Sequence, residues 1–305
     1  MLLLSKLSIK FLPKIVLLVF IAVFAIVRIR QAWFPFDNFV SSDYANELQA
    51  YLKSPTAKVI KLWPSPTVLA KDYTGILSIL LEPRLANCDD QTQLLVIVKS
   101  AITEFDRRSV IRQSWAQNVT SRRIRVVFFT GQEHPEIDFK VRTENEEQLR
   151  KESEQFGDLV QVSFIDHYQN VSLKSFSMFL WQVTRCAQVP WILYCDSDVL
   201  VLLDHVLLFI DQLVVNQFTT DRPDIIYGDC WTCAKPIRDK KEKWYVSETT
   251  WAGPIFPKYC GGPGFLLTGS APARLVRQVP SIAFVQNFHM IDDVLFTGVL
   301  TWAAG

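Results

Sequence analysis

The 305-residue sequence lacks several features that mark common functional classes. It has no excess of charge of either sign, because 32 Lys and Arg face 31 Asp and Glu, which argues against nucleic acid as the main partner. It has no glycine-rich phosphate loop of the Rossmann or Walker type, so a bound nucleotide would need its diphosphate neutralised in another way. It also lacks the His/Asp cluster with which a secreted metal-dependent hydrolase would activate water.

The sequence also lacks the paired cysteine motifs of a zinc site. Cys230 and Cys233 form one Cys-x-x-Cys motif, whereas zinc usually needs two such pairs. A thioredoxin-like role would need the motif to open a helix, but Ala-Lys-Pro follows it, so we interpret it as a structural disulfide or two buried thiols. The total of six cysteines permits disulfides in an oxidising compartment, and N-glycosylation sequons at Asn118 and Asn170 fit such a compartment.

An apolar run lies close to the N-terminus. Residues 15–27 are uncharged, with lysines before them and arginines after them. Their length would suit a signal peptide, but no small-x-small cleavage site follows and Leu7 begins an apolar extension, so we favour a retained anchor. The sequence therefore predicts a cytoplasmic tail at 1–10, a transmembrane signal anchor at 11–28 and a proline-containing stem at 29–90.

Residues 91–305 alternate between strand-like and helix-like segments. Such alternation predicts an α/β domain with a mostly parallel central sheet flanked by helices, which would lie in the lumen behind the anchor. The predicted strands are 94–98, 126–129, 159–164 and 191–194, and the predicted helices are 107–115, 144–156 and 173–187.

The predicted strand 191–194 runs into Asp196-Ser197-Asp198. Aspartates at i and i+2 of an extended chain point to the same side, so they can share one hard divalent cation that also binds phosphates. Ligands of α/β sheets bind at the carboxyl ends of strands, and the missing phosphate loop would give such a cation a task. The alternative is an ordinary turn, in which Asp and Ser are common.

Three further stretches are too polar, aromatic or glycine-rich to be simple core. Residues 107–112 contain three arginines, which suit phosphate recognition but also occur solvated or salt-bridged on amphipathic helices. Residues 256–264 contain three glycines around a proline, which either let the backbone approach a ligand or form a tight loop. Asp292 and Asp293 are paired carboxylates that suit a general base, or they mark the start of a helix.

In their order along the chain, these motifs resemble the β-1,3-galactosyltransferase/N-acetylglucosaminyltransferase family, glycosyltransferase family 31. The resemblance extends from about Leu94 to the end of the sequence. It is carried by Arg-Arg-x-x-Ile-Arg-x-Ser-Trp at 107–115, Asp-x-Tyr-x-Asn-Val-Ser-x-Lys-Ser at 166–175, Asp-x-Asp at 196–198, Phe-Pro-x-Tyr-Cys-x-Gly-x-Gly-Phe at 256–265 and Asp-Asp-Val-x-x-x-Gly at 292–298.

The resemblance implies a GT-A fold and a single-pass type II protein of the Golgi membrane with a lumenal catalytic domain. It implies Mn²⁺ as cofactor and UDP-galactose or UDP-N-acetylglucosamine as donor. It further implies an inverting transfer that makes a β-1,3 linkage on the acceptor glycan of a glycoprotein or glycolipid, with protein glycosylation as the process.

The resemblance also implies residue roles. Asp198, alone or with Asp196, would hold the metal, and Asp293 would be the catalytic base. The remaining implied residues are Arg108 and Arg112, on the donor side or structural; Ser197 beside the donor; and Tyr259, Gly262, Gly264 and Asp292 in the donor and acceptor pockets.

Besides Leu202, which replaces an Asn usual in the family, the sequence departs from the family at two places. Ser197 stands where members often have a middle aspartate, and no His follows the Asp-Asp-Val motif, since His289 precedes it. From this second departure we expect a truncated isoform, an incomplete gene model or a weakened enzyme. The alternative function is a catalytically weak or inactive member that acts as a lumenal folding partner for another transferase.

Overall fold

The computed structural model describes residues 78–84, 88–89, 91–117, 119, 123–215, 226–278 and 291–304. The predicted anchor, most of the predicted stem, Asn118 and His289 lie outside these described residues. Within the described ranges, no helix combines the length and the apolarity that a membrane crossing requires.

The described residues form a seven-stranded mixed sheet with helices on both faces. Its strands are β1 (Ile79–Leu81), β2 (Leu94–Lys99), β3 (Ile124–Gln132), β4 (Leu159–Ile165), β5 (Trp191–Asp196), β6 (Ile226–Trp231) and β7 (Tyr259–Thr268). Its helices are α1 (Phe105–Gln113), α2 (Phe139–Phe156), α3 (Val171–Arg185), α4 (Leu203–Val215), α5 (Ala271–Gln278), a π-helical turn (Val294–Val299) and α6 (Leu300–Ala304).

Strand order across the sheet is β1-β4-β3-β2-β5-β7-β6. The four central strands β4, β3, β2 and β5 are parallel, whereas β1, β7 and β6 are added antiparallel at the two sides. The predicted α/β architecture with mostly parallel central strands is therefore confirmed. The antiparallel strands were not predicted.

Burial on both faces explains why the central strand β2 is almost entirely apolar. In β2, Leu94, Val96 and Val98 pack into one core, while Leu95 and Ile97 pack into the other. A strand covered by helices on both sides has no polar face, so its sequence is a continuous apolar run.

The order of the parallel strands creates a crevice. From β2 the chain steps to β3 and then β4 on one side, and it then returns to place β5 on the other side of β2. The chain thus continues from β2 toward one edge of the sheet and from β5 toward the other, and the carboxyl ends of these two neighbouring strands border an open cleft.

Two disulfides cross-link the domain. Cys88 is bonded to Cys186, and Cys230 is bonded to Cys260 between the paired strands β6 and β7. Cys230 thus forms a structural disulfide, but its partner is not the nearby Cys233, which keeps an exposed free thiol. The interpretation of the Cys-x-x-Cys motif as a self-contained pair is wrong, because antiparallel pairing of β6 with β7 brings Cys260 opposite Cys230.

Candidate active site

A cleft of about 670 Å³ lies at the carboxyl ends of β2 and β5. Two of the regions predicted from the sequence, Asp-Ser-Asp at 196–198 and Asp-Asp at 292–293, line the same cleft although about a hundred residues separate them. Its charged lining residues are Lys99, Glu104, Arg107, Asp166, Lys174, Asp196, Asp198, Lys235, Lys243, Asp292 and Asp293.

Lys99 joins the two acidic regions. Its Nζ lies 3.1 Å from Oδ1 of Asp196 and 3.2 Å from Oδ2 of Asp292. Burial disfavours the charged ammonium, but the two carboxylates outweigh burial and raise the pKa of Lys99 above its usual range. Asp292 also accepts a hydrogen bond from the hydroxyl of Ser175 on α3. The lysine is therefore a permanent positive charge at the centre of the cleft.

Asp293 has the environment of a general base. Burial and the neighbouring charge of Asp292 raise the pKa of Asp293 to about 6, although hydrogen bonds from the backbone of Val294 and Gly262 oppose the shift. The carboxylate also begins the π-helical turn, since its Oδ1 accepts from the Val294 N–H at 2.8 Å. Both interpretations of this aspartate, catalytic group and helix start, are therefore compatible with one geometry.

The Asp-Ser-Asp segment presents its three side chains differently. Asp196 is partly exposed and paired with Lys99, and Asp198 has 64% of its side chain exposed to the cleft. Ser197 is buried and its Oγ donates to Oε2 of Glu104 at 2.7 Å. Glu104 therefore brings a carboxylate next to position 197, where the resemblance leads one to expect an aspartate. This glutamate was not predicted from the sequence.

Arg108 and Arg112 lie outside the lining of the cleft. Arg108 is completely buried and donates to Glu152 and Ser100, and Arg112 donates to Glu152 and, through two nitrogens, to Asp158. Of the two roles left open for these arginines, the contacts support the structural one, because their hydrogen bonds connect α1 to α2 and to the end of β2. Arg107, the neighbour of Arg108, lines the cleft instead.

The glycine-rich segment forms β7, one wall of the site. Tyr259 and Gly262 line the cleft, and Gly262 adopts the left-handed φ of 80°. A Cβ on Gly261 would lie 2.2 Å from Oδ2 of Asp293, so the backbone passes directly beside the proposed base. Gly264 serves a different purpose: a Cβ there would lie 2.7 Å from the carbonyl oxygen of Tyr194, so this glycine lets β7 approach β5 closely.

Exposed aromatic side chains line the side of the cleft near Asp292 and Asp293. Tyr168 and Trp244 are 42% and 53% exposed, and the ammonium of Lys243 lies 4.8 Å from the ring centre of Tyr168. Burial and the charge of Asp292 raise the pKa of Tyr168. Exposed aromatic rings beside acidic groups are suited to bind a sugar, which presents both apolar faces and hydroxyls.

Lys174, in the first turn of α3, connects this helix to the segments that follow β2 and β4. Its buried Nζ lies 2.7 Å from Asp166 and donates to the carbonyl oxygen of Ser100 at 2.9 Å. Asn170, the second sequon residue, directly precedes α3, and its amide nitrogen donates to the carbonyl oxygen of Ile165 at 2.8 Å.

The described residues contain no group of three or more His, Cys, Asp or Glu side chains that could hold a metal ion by themselves. Two carboxylates with only oxygen donors, Asp196 and Asp198, nevertheless fit a hard cation of the Mg²⁺ or Mn²⁺ type. Such cations are commonly held by one or two protein carboxylates, with substrate phosphates and water as the other ligands.

Comparison with known proteins identifies relatives of the chain. A family model described as galactosyltransferase matches residues 106–305. The chain is 33% identical over 215 residues to UDP-GlcNAc:betaGal beta-1,3-N-acetylglucosaminyltransferase 7 of Rattus norvegicus, covering 68% of this chain and 50% of the relative. It is 33% identical over 214 residues to N-acetyllactosaminide beta-1,3-N-acetylglucosaminyltransferase 2 of Homo sapiens, covering 70% and 51%.

A third relative, lactosylceramide 1,3-N-acetyl-beta-D-glucosaminyltransferase of Homo sapiens, is 29% identical over 214 residues, covering 68% of this chain and 53% of the relative. The chain spans about half the length of the curated relatives it matches. The family-model match includes every charged residue of the cleft except Lys99 and Glu104, which lie shortly before its first residue.

Proposed function

Since this chain belongs to the galactosyltransferase family, we propose that it is an inverting UDP-sugar-dependent β-1,3-hexosyltransferase with a GT-A fold. The names of its relatives favour UDP-N-acetylglucosamine as the donor, with UDP-galactose as the alternative. They also favour an acceptor glycan that ends in β-galactose, carried by a glycoprotein or a glycolipid.

The observation that carries the proposal is the position of Asp293. A half-buried carboxylate with a pKa of about 6 shares one cleft with the Asp-Ser-Asp segment. At neutral pH it is ionised and can accept the proton of an acceptor hydroxyl, while a pKa this close to neutrality makes it a stronger base than an ordinary aspartate.

The bond changes follow from this assignment. The acceptor oxygen forms a bond to the anomeric carbon, and the bond from that carbon to the diphosphate oxygen breaks, with its electrons leaving on UDP. The proton of the acceptor hydroxyl passes to Asp293. Attack from the face opposite the departing UDP inverts the anomeric centre and passes through an oxocarbenium-like transition state.

The donor side is proposed to lie over Asp196 and Asp198. These carboxylates would hold Mn²⁺, which when bound supplies positive charge to the departing diphosphate. Lys99 keeps Asp196 in place from the adjacent strand, and Arg107 adds a half-exposed guanidinium at the same end of the cleft. The aromatic side chains Tyr168 and Trp244 would then contact the acceptor.

The cellular setting is also a proposal. Residues 11–28 would anchor the protein in the Golgi membrane as a single-pass type II protein, and residues 29–90 would form the stem. Residues 91–305 would be the lumenal catalytic domain, with protein glycosylation as the process. The two disulfides support a compartment that is oxidising.

A donor screen tests the activity. The purified chain is incubated with Mn²⁺, an acceptor ending in β-galactose, and either UDP-N-acetylglucosamine or UDP-galactose, and the release of UDP is measured. We expect release with one donor, its loss on chelation of the metal, and its loss in Asp198→Asn and Asp293→Asn. The exposed Asp211 on α4 provides the control, since Asp211→Asn should retain full activity. The absence of UDP release with both donors would refute the proposal.

A further inference from the structure

Arg107 lies between two carboxylates at the donor end of the cleft. Its Nη1 is 2.8 Å from Oε1 of Glu104 and 3.7 Å from Oδ2 of Asp198, and it donates to Oγ of Ser197 at 3.4 Å. One guanidinium therefore faces both Glu104 and the aspartate proposed to hold the metal.

This arrangement creates a competition for Asp198. A guanidinium and a divalent cation are both attracted to the same carboxylate, so full pairing of Arg107 with Asp198 would weaken cation binding there. In the structure the shorter contact goes to Glu104, and the contact to Asp198 exceeds hydrogen-bonding distance. Asp198 therefore remains accessible.

Glu104 is held firmly enough to retain the arginine. Its Oε2 accepts hydrogen bonds from the backbone N–H of Ala101 at 2.9 Å, from Oγ of Ser100 at 3.2 Å and from Oγ of Ser197 at 2.7 Å. These donors, which directly follow β2 and β5, fix the carboxylate from two sides and leave Oε1 directed at Arg107. The glutamate is thus an anchored partner, whereas Asp198 is an exposed one.

We propose that Glu104 is a positioning residue that holds Arg107 and thereby keeps Asp198 free to bind a divalent cation together with a nucleoside diphosphate. The inference rests on the proposed function only for the identity of the ligand. Ser197 is part of the same arrangement. Its hydroxyl, which stands in place of the aspartate common in the family, supplies one of the hydrogen bonds that fix Glu104.

The test measures the apparent dissociation constant of Mn²⁺ in the presence of saturating UDP, by calorimetry on the full chain. In Glu104→Gln the amide keeps the size of the side chain but loses its charge, so Asp198 becomes the nearest carboxylate to Arg107. We expect Mn²⁺ binding to weaken by about threefold to fivefold, the weight of a partly exposed ion pair. Glu154→Gln, an exposed position on α2, is the matched control and should leave the constant unchanged.

A second variant separates competition from general damage to the site. In Glu104→Gln/Arg107→Gln the competing guanidinium is gone, and we expect Mn²⁺ affinity to return to within about twofold of the wild type. Arg107→Gln alone, which alters only a half-exposed side chain, should leave the affinity equal or higher, and it tests the proposal even if Glu104→Gln fails to fold.

Among the variants, three results would overturn the inference: unchanged Mn²⁺ binding in a folded Glu104→Gln, no recovery in the double variant, or weaker binding in Arg107→Gln. These measurements require no sugar transfer, so a wild type that binds Mn²⁺ and UDP but releases no UDP from a donor refutes the proposed function alone. A wild type that binds no Mn²⁺ in the presence of UDP overturns the inference as well.

Discussion

Lys99 and Asp196 are paired positions at the ends of adjacent parallel strands, and their side chains meet with 3.1 Å between Nζ and Oδ1. The same Nζ reaches Asp292 at 3.2 Å. A single ammonium thereby couples the acidic end of β5, proposed to face the donor, to the acidic pair that contains the proposed base. The charge state of either region should depend on this lysine.

Replacement of Lys99 should shift the pH dependence of the reaction. Lys99 lowers the pKa of Asp293 by its charge, so in Lys99→Gln that pKa should rise above 6 and the base should ionise only at higher pH. We expect the acidic limb of the profile of kcat/KM against pH to move upward by roughly one pH unit. Lys140→Gln, on an exposed position of α2, should leave the limb in place. A limb that stays near 6 in Lys99→Gln would contradict the coupling.

Asp293→Asn should lose activity and gain stability. Removal of the base should reduce kcat by about 10² to 10⁴. The pKa of Asp293 is about 6 in the folded protein and 3.8 as its ordinary value, so folding favours the protonated form. The wild type is therefore destabilised as the pH rises from about 4 through 6, by up to about 3 kcal/mol, and a neutral amide avoids this loss.

Urea unfolding at pH 4 and at pH 7.5 measures this effect. The variant and the wild type should be of similar stability at pH 4, where both side chains are neutral, and the variant should be the more stable at pH 7.5. Equal stability of the two proteins at both pH values would mean that burial does not destabilise the ionised carboxylate of Asp293.

Several elements of the fold were predictable because their sequence pattern has one physical cause. The apolar run of β2 predicts a strand buried on both faces, and Gly157, with φ of 67°, ends α2 as its place after the charged helix indicates. Antiparallel β6 and β7 were missed because glycines and polar residues interrupt the apolar pattern by which strands are recognised.

The site was predictable in its acidic residues and less so in its basic ones. Asp198 and Asp293 stand out because a carboxylate follows an apolar segment or another carboxylate. Lys99 carries a similar signal, a charge that ends an apolar strand, but only the pairing of β2 with β5 gives it a partner. Arg107 and Arg108 are neighbours with opposite surroundings, and nothing in their order along the chain distinguishes the exposed one from the buried one.

This difference between the two arginines leads to a stability prediction. Arg108→Met would leave Glu152 with one cationic partner fewer in a buried network, and the loss of one partner of a buried ion pair typically costs about 3–5 kcal/mol. Arg107→Met should change the free energy of unfolding by less than about 1 kcal/mol, since its ion pairs are partly exposed. Urea unfolding of both variants gives the comparison. Comparable losses in the two would contradict the assignment of Arg108 to the core.

Gly261 offers a way to displace the proposed base without unfolding the protein. The Cβ of Gly261→Ala would lie 2.2 Å from Oδ2 of Asp293, so the end of that side chain must move away. Movement of a catalytic group by about 1 Å can reduce the rate by about 10²-fold, and we expect a loss of this order in kcat with little change in melting temperature.

The matched control is Gly157→Ala, where a left-handed φ of 67° ends α2 away from the cleft lining. A side chain there strains the backbone by about 1 kcal/mol and should lower the melting temperature while kcat is retained. Gly261→Ala should therefore reduce turnover with little change in stability, whereas Gly157→Ala should reduce stability and retain turnover. If Gly261→Ala keeps full activity, Asp293 tolerates displacement and its assignment as the base is refuted.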